Sequence, residues 1–412
     1  MSIVNQYLSR WLRTDASYLA KNGSWLWVGR IITITILFAT SIFFANVLDP
    51  SDLGTYQYII ALSGFFGLFA LIGMNTSMVR SVARGAPGVL DYGVRTYLYW
   101  SAGTLGLGML AALYYYWQGN TWLAAVIMIG ATMIPIQRAS GLYVAFVEGQ
   151  QKFKLSILLG LIGSTVPTTA VVGTIFFTHN PIYLAGVSFI SGALVNGGLY
   201  WFCRTRYKTN GAEPTAISEM ISFSKHLSLI QFLARSLPYI ERIVLASFTN
   251  PAMLAAYHFS SLVPKQFNEI DRVLKKLLMP KLSERDFSIL KKTLPRKVMI
   301  YFILMLGIVT TYILLAPTFF NLIFPQYVEF TFHSQIFALS ALLQPTSVFS
   351  RALTAHIKKR ALYIQSTIIP IMTIIITCIL IPMFGVWGAV FSKIAHMVIH
   401  SVVVIYFFFK TT

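Results

Sequence analysis

Three runs of polar side chains interrupt otherwise apolar stretches, and their spacing makes them candidates for chemistry. His258, Ser261, Lys265, Glu269 and Arg272 recur at steps of three and four, which aligns them on one face of a helix. Gln231, Arg235 and Arg242 form a second stripe, and Ser340, Gln344, Ser347 and Arg351 a third. An ionised side chain at the centre of a bilayer costs ~2.5–3.5 kcal/mol on insertion scales, so such residues face a wet cavity or a partner. Arg235 and Lys265 fall near mid-depth, Arg30 enters from the start of its segment, and Arg138 and Arg351 lie near the ends of theirs. Cations lining a cavity select an anion, and the planar fork of Arg suits the bidentate geometry of phosphate. Arg242, His258 and Arg272 belong to the same candidate anion site, with Glu241, Glu269 and Asp271 as coupling or charge-pairing groups. Two alternatives stay open: the terminal cations can snorkel to the interface, and Lys265 or Arg272 can be neutralised by Glu269 or Asp271 on the same helix.

Other reactive residues point to packing. Lys393, His396 and His400 share a helical face that is either a proton path or polar packing, and packing is the reading taken here. Three histidines without nearby carboxylates or thiols make a poor metal site, and Cys203 and Cys378 lie far apart in apolar segments, so both are expected to pack. Gly103, Gly106 and Gly108 follow no strand, which removes a nucleotide-binding reading and leaves close helix packing. Pro135, Pro167, Pro238 and Pro264 fall inside apolar segments, where they permit kinks.

The elements that must hold these residues follow from composition. The 412-residue chain is 56% apolar and 11% charged, with a mean hydropathy of +0.68, whereas soluble domains carry roughly 25% charged residues. A helix needs ~20 mainly apolar residues to cross ~30 Å of hydrocarbon. Twelve segments qualify, at 25–47, 56–79, 96–117, 121–147, 155–177, 181–203, 222–248, 252–278, 298–320, 331–352, 361–381 and 387–409. Their continuous apolarity excludes barrel strands, which alternate, so the fold class is all-α, a polytopic membrane protein. The first residues, 1–21, lack the short apolar core and cleavage site of a signal peptide.

Lys and Arg set the orientation. Arg80, Arg84 and Arg95 follow span 2, Lys152 and Lys154 span 4, and Arg204, Arg206 and Lys208 span 6. Spans 8 and 10 are likewise followed by basic residues, whereas the loops after odd spans contain no Lys or Arg. Both termini are therefore expected in the cytoplasm. Much of the net charge of +19 is then a topology signal, with anionic membrane lipid rather than nucleic acid as its partner.

At an offset of 201 residues, Pro50, Leu53 and Tyr56 align with Pro251, Leu254 and Tyr257, and Arg80 and Arg84 with Lys281 and Arg285. Six spans separate the matches, so the expectation is two pseudo-symmetric six-helix lobes of equal orientation, a transporter design. They cover 1–205 (spans 1 to 6) and 222–412 (spans 7 to 12), with 206–221 as a cytoplasmic linker.

The run Leu48-Asp49-Pro50-Ser51-Asp52-Leu53-Gly54-Thr55-Tyr56, with Gly73-Met74-Asn75 and Arg80-Ser81-Val82-Ala83-Arg84 after it, resembles the opening of Wzx-type polysaccharide (O-antigen) flippases. Met279-Pro280-Lys281-Leu282-Ser283 and Leu380-Ile381-Pro382-Met383-Phe384-Gly385-Val386-Trp387-Gly388-Ala389 are similar to later segments of the same family, within the multidrug/oligosaccharidyl-lipid/polysaccharide exporter superfamily. The resemblance implies alternating access by two lobes, with spans 1, 2, 7 and 8 lining the path. It also implies a polyprenyl-diphosphate-linked oligosaccharide as substrate, moved from the cytoplasmic to the outer leaflet of a bacterial inner membrane, polysaccharide polymerase machinery as a partner, and no cofactor. Drug exporters of the superfamily place an acid in the first span, where this chain has Arg30. A cation-coupled exporter of another solute is the second reading and would use Glu148, Glu241, Glu269 or Asp271. A membrane glycosyltransferase is the third. Asp49 and Asp52 could serve it, but their loop is short and no large external domain accompanies it, so a non-enzymatic role is expected. ATP hydrolysis is not expected either, because no Gly-rich Lys-Ser/Thr phosphate loop is present.

Overall fold

The computed structural model describes residues 16–207 and 209–410, and the side chains of Arg30, Glu269 and Arg272 lie outside the described residues. Every regular element among the described residues is a helix. That outcome follows from the hydrocarbon environment, where only a helix or a closed barrel satisfies every backbone N–H and C=O internally. Among the described residues, seven helical stretches are long and apolar enough to cross a membrane, and the bent pair Pro50–Phe69 with Met74–Ala83 makes an eighth. Helices Pro214–Phe248 and Pro251–Glu284 have the length but carry the polar stripes. The segments richest in candidate chemistry are thus the ones composition alone identifies least well.

The chain divides into two compact units, Met1–Phe43 with Leu62–Leu229, and Phe44–Ala61 with Ile230–Thr412. Helix Pro214–Phe248 begins in the first and ends in the second, so the expected linker residues from Pro214 onward are already helical.

In the first unit, helix Pro181–Arg206 packs on Thr121–Ser140 and Phe153–Ile175. Small residues allow the approach: a Cβ on Gly163 would meet the Tyr143 hydroxyl, and one on Gly192 the Gln137 amide. Buried Tyr143 donates to Asn196 at 3.2 Å, and Asn196 donates to the Gly192 carbonyl at 2.8 Å. Span 2, expected as one helix, bends by 54° between Pro50–Phe69 and Met74–Ala83. The bend frees carbonyl oxygens, and Arg138 binds them, donating to Gly67 at 2.8 Å and Gly64 at 3.4 Å.

The second unit is built on a core that includes Met305, Val309, Ala338, Phe349 and Phe408. Hairpin residues 44–61 join it, with Asn46 donating to the Ile323 carbonyl at 3.1 Å. Gly54 lies against the start of helix Pro251–Glu284, and a Cβ there would stand 1.7 Å from the Pro251 carbonyl oxygen. Span 10 is not one α-helix: a 3₁₀ segment, Ser340–Thr346, containing Pro345, precedes Ser347–Ala355. The stripe expected from α-helical spacing is therefore broken between Ser340 and Ser347. Outward faces are apolar, as at Leu314, Leu315 and Leu322. Cys203 is buried as expected, whereas Cys378 is exposed on such a face.

Two measurements check this architecture. Cysteine introduced at exposed Ser51 should react with an impermeant maleimide in intact cells, and cysteine at exposed Asn210 only after permeabilisation; the reverse pattern contradicts the orientation. Gly54→Ala should destabilise the protein by at least about 1–3 kcal/mol through overpacking, read as a lowered Tm in detergent.

Candidate functional site

The polar stripes converge inside the second unit. Its two long helices meet at a tight corner where Asn250 caps the second, its side chain accepting from the Met253 N–H at 2.9 Å, with Pro251 in the first turn. The corner brings Tyr257 back to the preceding helix, where its hydroxyl donates to Glu241 Oε1. Tyr257 is 1% exposed, so a carboxylate carried on one helix is held by a phenol on the next.

Lys265 lies two turns further along the same helix. Its ammonium donates to Ser261 Oγ at 2.8 Å and lies 5.1 Å from the Tyr257 ring and 5.9 Å from Phe337, within reach of a cation–π attraction. Glu241, Arg242 and Lys393 are its electrostatic neighbours, and His258 sits in the field of both Arg242 and Lys265. Among the described residues, three cationic side chains share the surroundings of one carboxylate. In a low-dielectric interior each such charge needs a counter-charge, a hydrogen bond or water to answer it.

A second layer lies about 9 Å deeper along the helix at 1.5 Å per residue. Arg351 pairs through Nη2 with Asp271 Oδ2, and Ser347 Oγ donates to Asp271 Oδ1 at 2.6 Å. Only 7% of the Arg351 side chain is exposed; Tyr301 stands in the field of this pair, and His400 in that of Asp271 and Lys393. Asp271 is therefore engaged across helices by Arg351, rather than solely by a cation of its own helix.

The expected site residues thus separate. Glu241, Arg242, His258 and Lys265 come together, and Asp271 and Arg351 form the adjoining pair. Arg235 shares a helical face with Arg242 and is exposed. Arg138 belongs to the first unit and serves the span 2 bend. The sequence reading placed Lys393 on a packing face; in the structure it also stands in the electrostatic field of Lys265 and Glu241. The signal was present in its spacing with His396 and His400, but periodicity cannot distinguish a packed face from one aimed at other charges. His396 does pack, its Nδ1 lying 2.8 Å from Thr373 Oγ1.

Long apolar helices enclosing half-buried and buried cations define a polytopic membrane protein with a charged interior. Residues 19–261 match the family described as polysaccharide biosynthesis protein, and the chain belongs to that family. It is 21% identical over 313 residues to the Shigella flexneri protein "Putative O-antigen transporter", covering 71% of this chain and 73% of that one. Among solved structures it resembles the inward closed conformation of the lipid II flippase MurJ, with a TM-score of 0.71, 12% identity, and coverage of 92% and 86% of the two chains. An inward-facing multidrug resistance MATE family transporter of the MOP superfamily is also similar, with a TM-score of 0.66, 14% identity, and coverage of 92% and 96%. The resemblance read from the short motifs is borne out at the level of family and fold.

Removing one member of the Asp271–Arg351 pair strands a buried charge. Arg351→Met should lower stability by about 3–5 kcal/mol, and adding Asp271→Asn should recover most of it. Thermal unfolding of the detergent-purified variants reads the difference.

Proposed function

We propose that this protein carries polyprenyl-diphosphate-linked oligosaccharide repeat units from the cytoplasmic to the outer leaflet of a bacterial inner membrane by alternating access. The observation that carries the reading is the gathering of Arg242, Lys265 and Lys393 around Glu241 inside the second unit. A diphosphate presents several charged oxygens at once, which suits a group of Lys and Arg side chains gathered in one place. Charge-assisted hydrogen bonds to Lys and Arg are roughly twice as strong as neutral ones. Glu241, already held by Tyr257, keeps the empty site from carrying its full positive charge.

Family membership and the named relatives support a polysaccharide-pathway substrate over other anions. Outward passage of a negative charge is also favoured by the membrane potential, at ~2.3 kcal/mol per charge per 100 mV. Binding and reorientation suffice for this task, so the protein acts as a transporter and not as an enzyme. Arg235, exposed and two turns from Arg242, adds a second contact to the passing head group.

Truncating one cation removes a contact worth roughly 1.5–3 kcal/mol, hence about one to two powers of ten in affinity. Lys265→Ala, Lys393→Ala and Arg235→Ala, each at wild-type membrane abundance, should therefore accumulate lipid-linked repeat units on the cytoplasmic leaflet. Arg235→Lys should recover only part of the transport, since it keeps the charge without the fork. Wild-type export by all three alanine variants would show that these cations are structural.

A further inference from the structure

The first unit holds a cleft that the transport reading does not use. It lies between helix Met74–Ala83 and the opening turns of Pro214–Phe248, has a volume of about 210 Å³, and is lined by Ser77, Arg80, Arg84, Thr215, Glu219 and Phe223. It opens to a wider mouth that adds Ser218, Ser222 and His226. Its walls are fixed to each other: Ser77 Oγ donates to the Met220 carbonyl at 2.5 Å, and the Gly73 N–H donates to Ser228 Oγ at 2.9 Å.

Two arginines share one carboxylate oxygen here. Arg80 Nη2 lies 2.9 Å and Arg84 Nη1 2.8 Å from Glu219 Oε1. Phe223 orients the first guanidinium, whose centre stands 4.3 Å from the ring. One carboxylate leaves one positive charge unanswered, whereas a phosphate dianion matches both forks. Displacing Glu219 is cheap, because its side chain is 59% exposed and exposed ion pairs contribute little to stability. The cavity is roughly seven times the ~30 Å³ that a water occupies in the liquid, which is room for a diphosphate. Arg80 and Arg84 are also among the basic residues that mark the expected cytoplasmic ends of the spans.

We infer that this cleft is a binding site for a phosphate-bearing group, with Arg80 and Arg84 as its ligands and Glu219 as a resident counter-ion that the phosphate displaces. The site is separate from the Lys265 cluster and stands without the transport reading. Two sources share this chemistry, a soluble phosphate or diphosphate and the head group of an anionic lipid.

The test uses full-length protein carrying Lys265→Ala, so that the cluster in the second unit contributes little, in nanodiscs of phosphatidylcholine titrated with inorganic diphosphate. Saturable binding is expected. It should weaken about tenfold or more in Arg84→Gln and in Arg80→Gln/Arg84→Gln, and tighten about threefold or more in Glu219→Gln, where the competing carboxylate is gone. If diphosphate does not bind but phosphatidylglycerol in the nanodisc raises the Tm, with the same opposite effects of the Arg and Glu219 variants, the ligand is a lipid head group. A purely structural ion pair predicts otherwise: Arg84→Gln and Glu219→Gln would both lower the Tm and neither would alter the response to diphosphate or phosphatidylglycerol. That result overturns the proposal.

Discussion

A charge taken out of water must be answered, and in this protein that requirement shapes the interior. The pair of Arg351 with Asp271, closed further by Ser347, shows how it is met when a partner is at hand. Desolvating two ions costs several kcal/mol each, and mutual attraction repays this only with good geometry and additional hydrogen bonds. The pair therefore constrains where helix Pro251–Glu284 and the end of span 10 can sit within their unit. It also leaves Asp271 committed to one cation, while Glu241 accepts from Tyr257 among several cations.

The same rule governs the backbone. Helices in hydrocarbon can break only where something re-satisfies the freed carbonyls. At the span 2 bend that service comes from Arg138, reaching Gly64 and Gly67. In span 10 the lack of an N–H on Pro345 coincides with a 3₁₀ segment, which carries Ser347 and Arg351 toward Asp271 instead of continuing a single stripe. Breaks that would weaken a soluble helix here position side chains.

Cations at membrane depth thus fall into two kinds. Arg138 and Arg351 are spent on the fold, one on carbonyls and one on a carboxylate. Arg242, Lys265 and Lys393 surround a single carboxylate among the described residues, with aromatic rings of Tyr257 and Phe337 beside the ammonium of Lys265. Aromatic faces stabilise a cation without neutralising it, which suits the anion site proposed above.

Helicity, the apolar segments and the family likeness were legible from the chain, because each rests on local properties: run length, hydropathy, and short loop motifs such as Leu53-Gly54. The need for Gly54 itself became clear only when its backbone was found against the Pro251 carbonyl. Helical spacing brought His258, Ser261 and Lys265 to one face, since three- and four-residue steps are intrinsic to the helix. It could not tell that Arg351 answers Asp271, that Arg138 serves a bend, or that Lys393 stands in the electrostatic field of Lys265 and Glu241. Those assignments depend on which helices become neighbours and at what depth, and charges interact by distance in space, a quantity that separation along the chain does not contain.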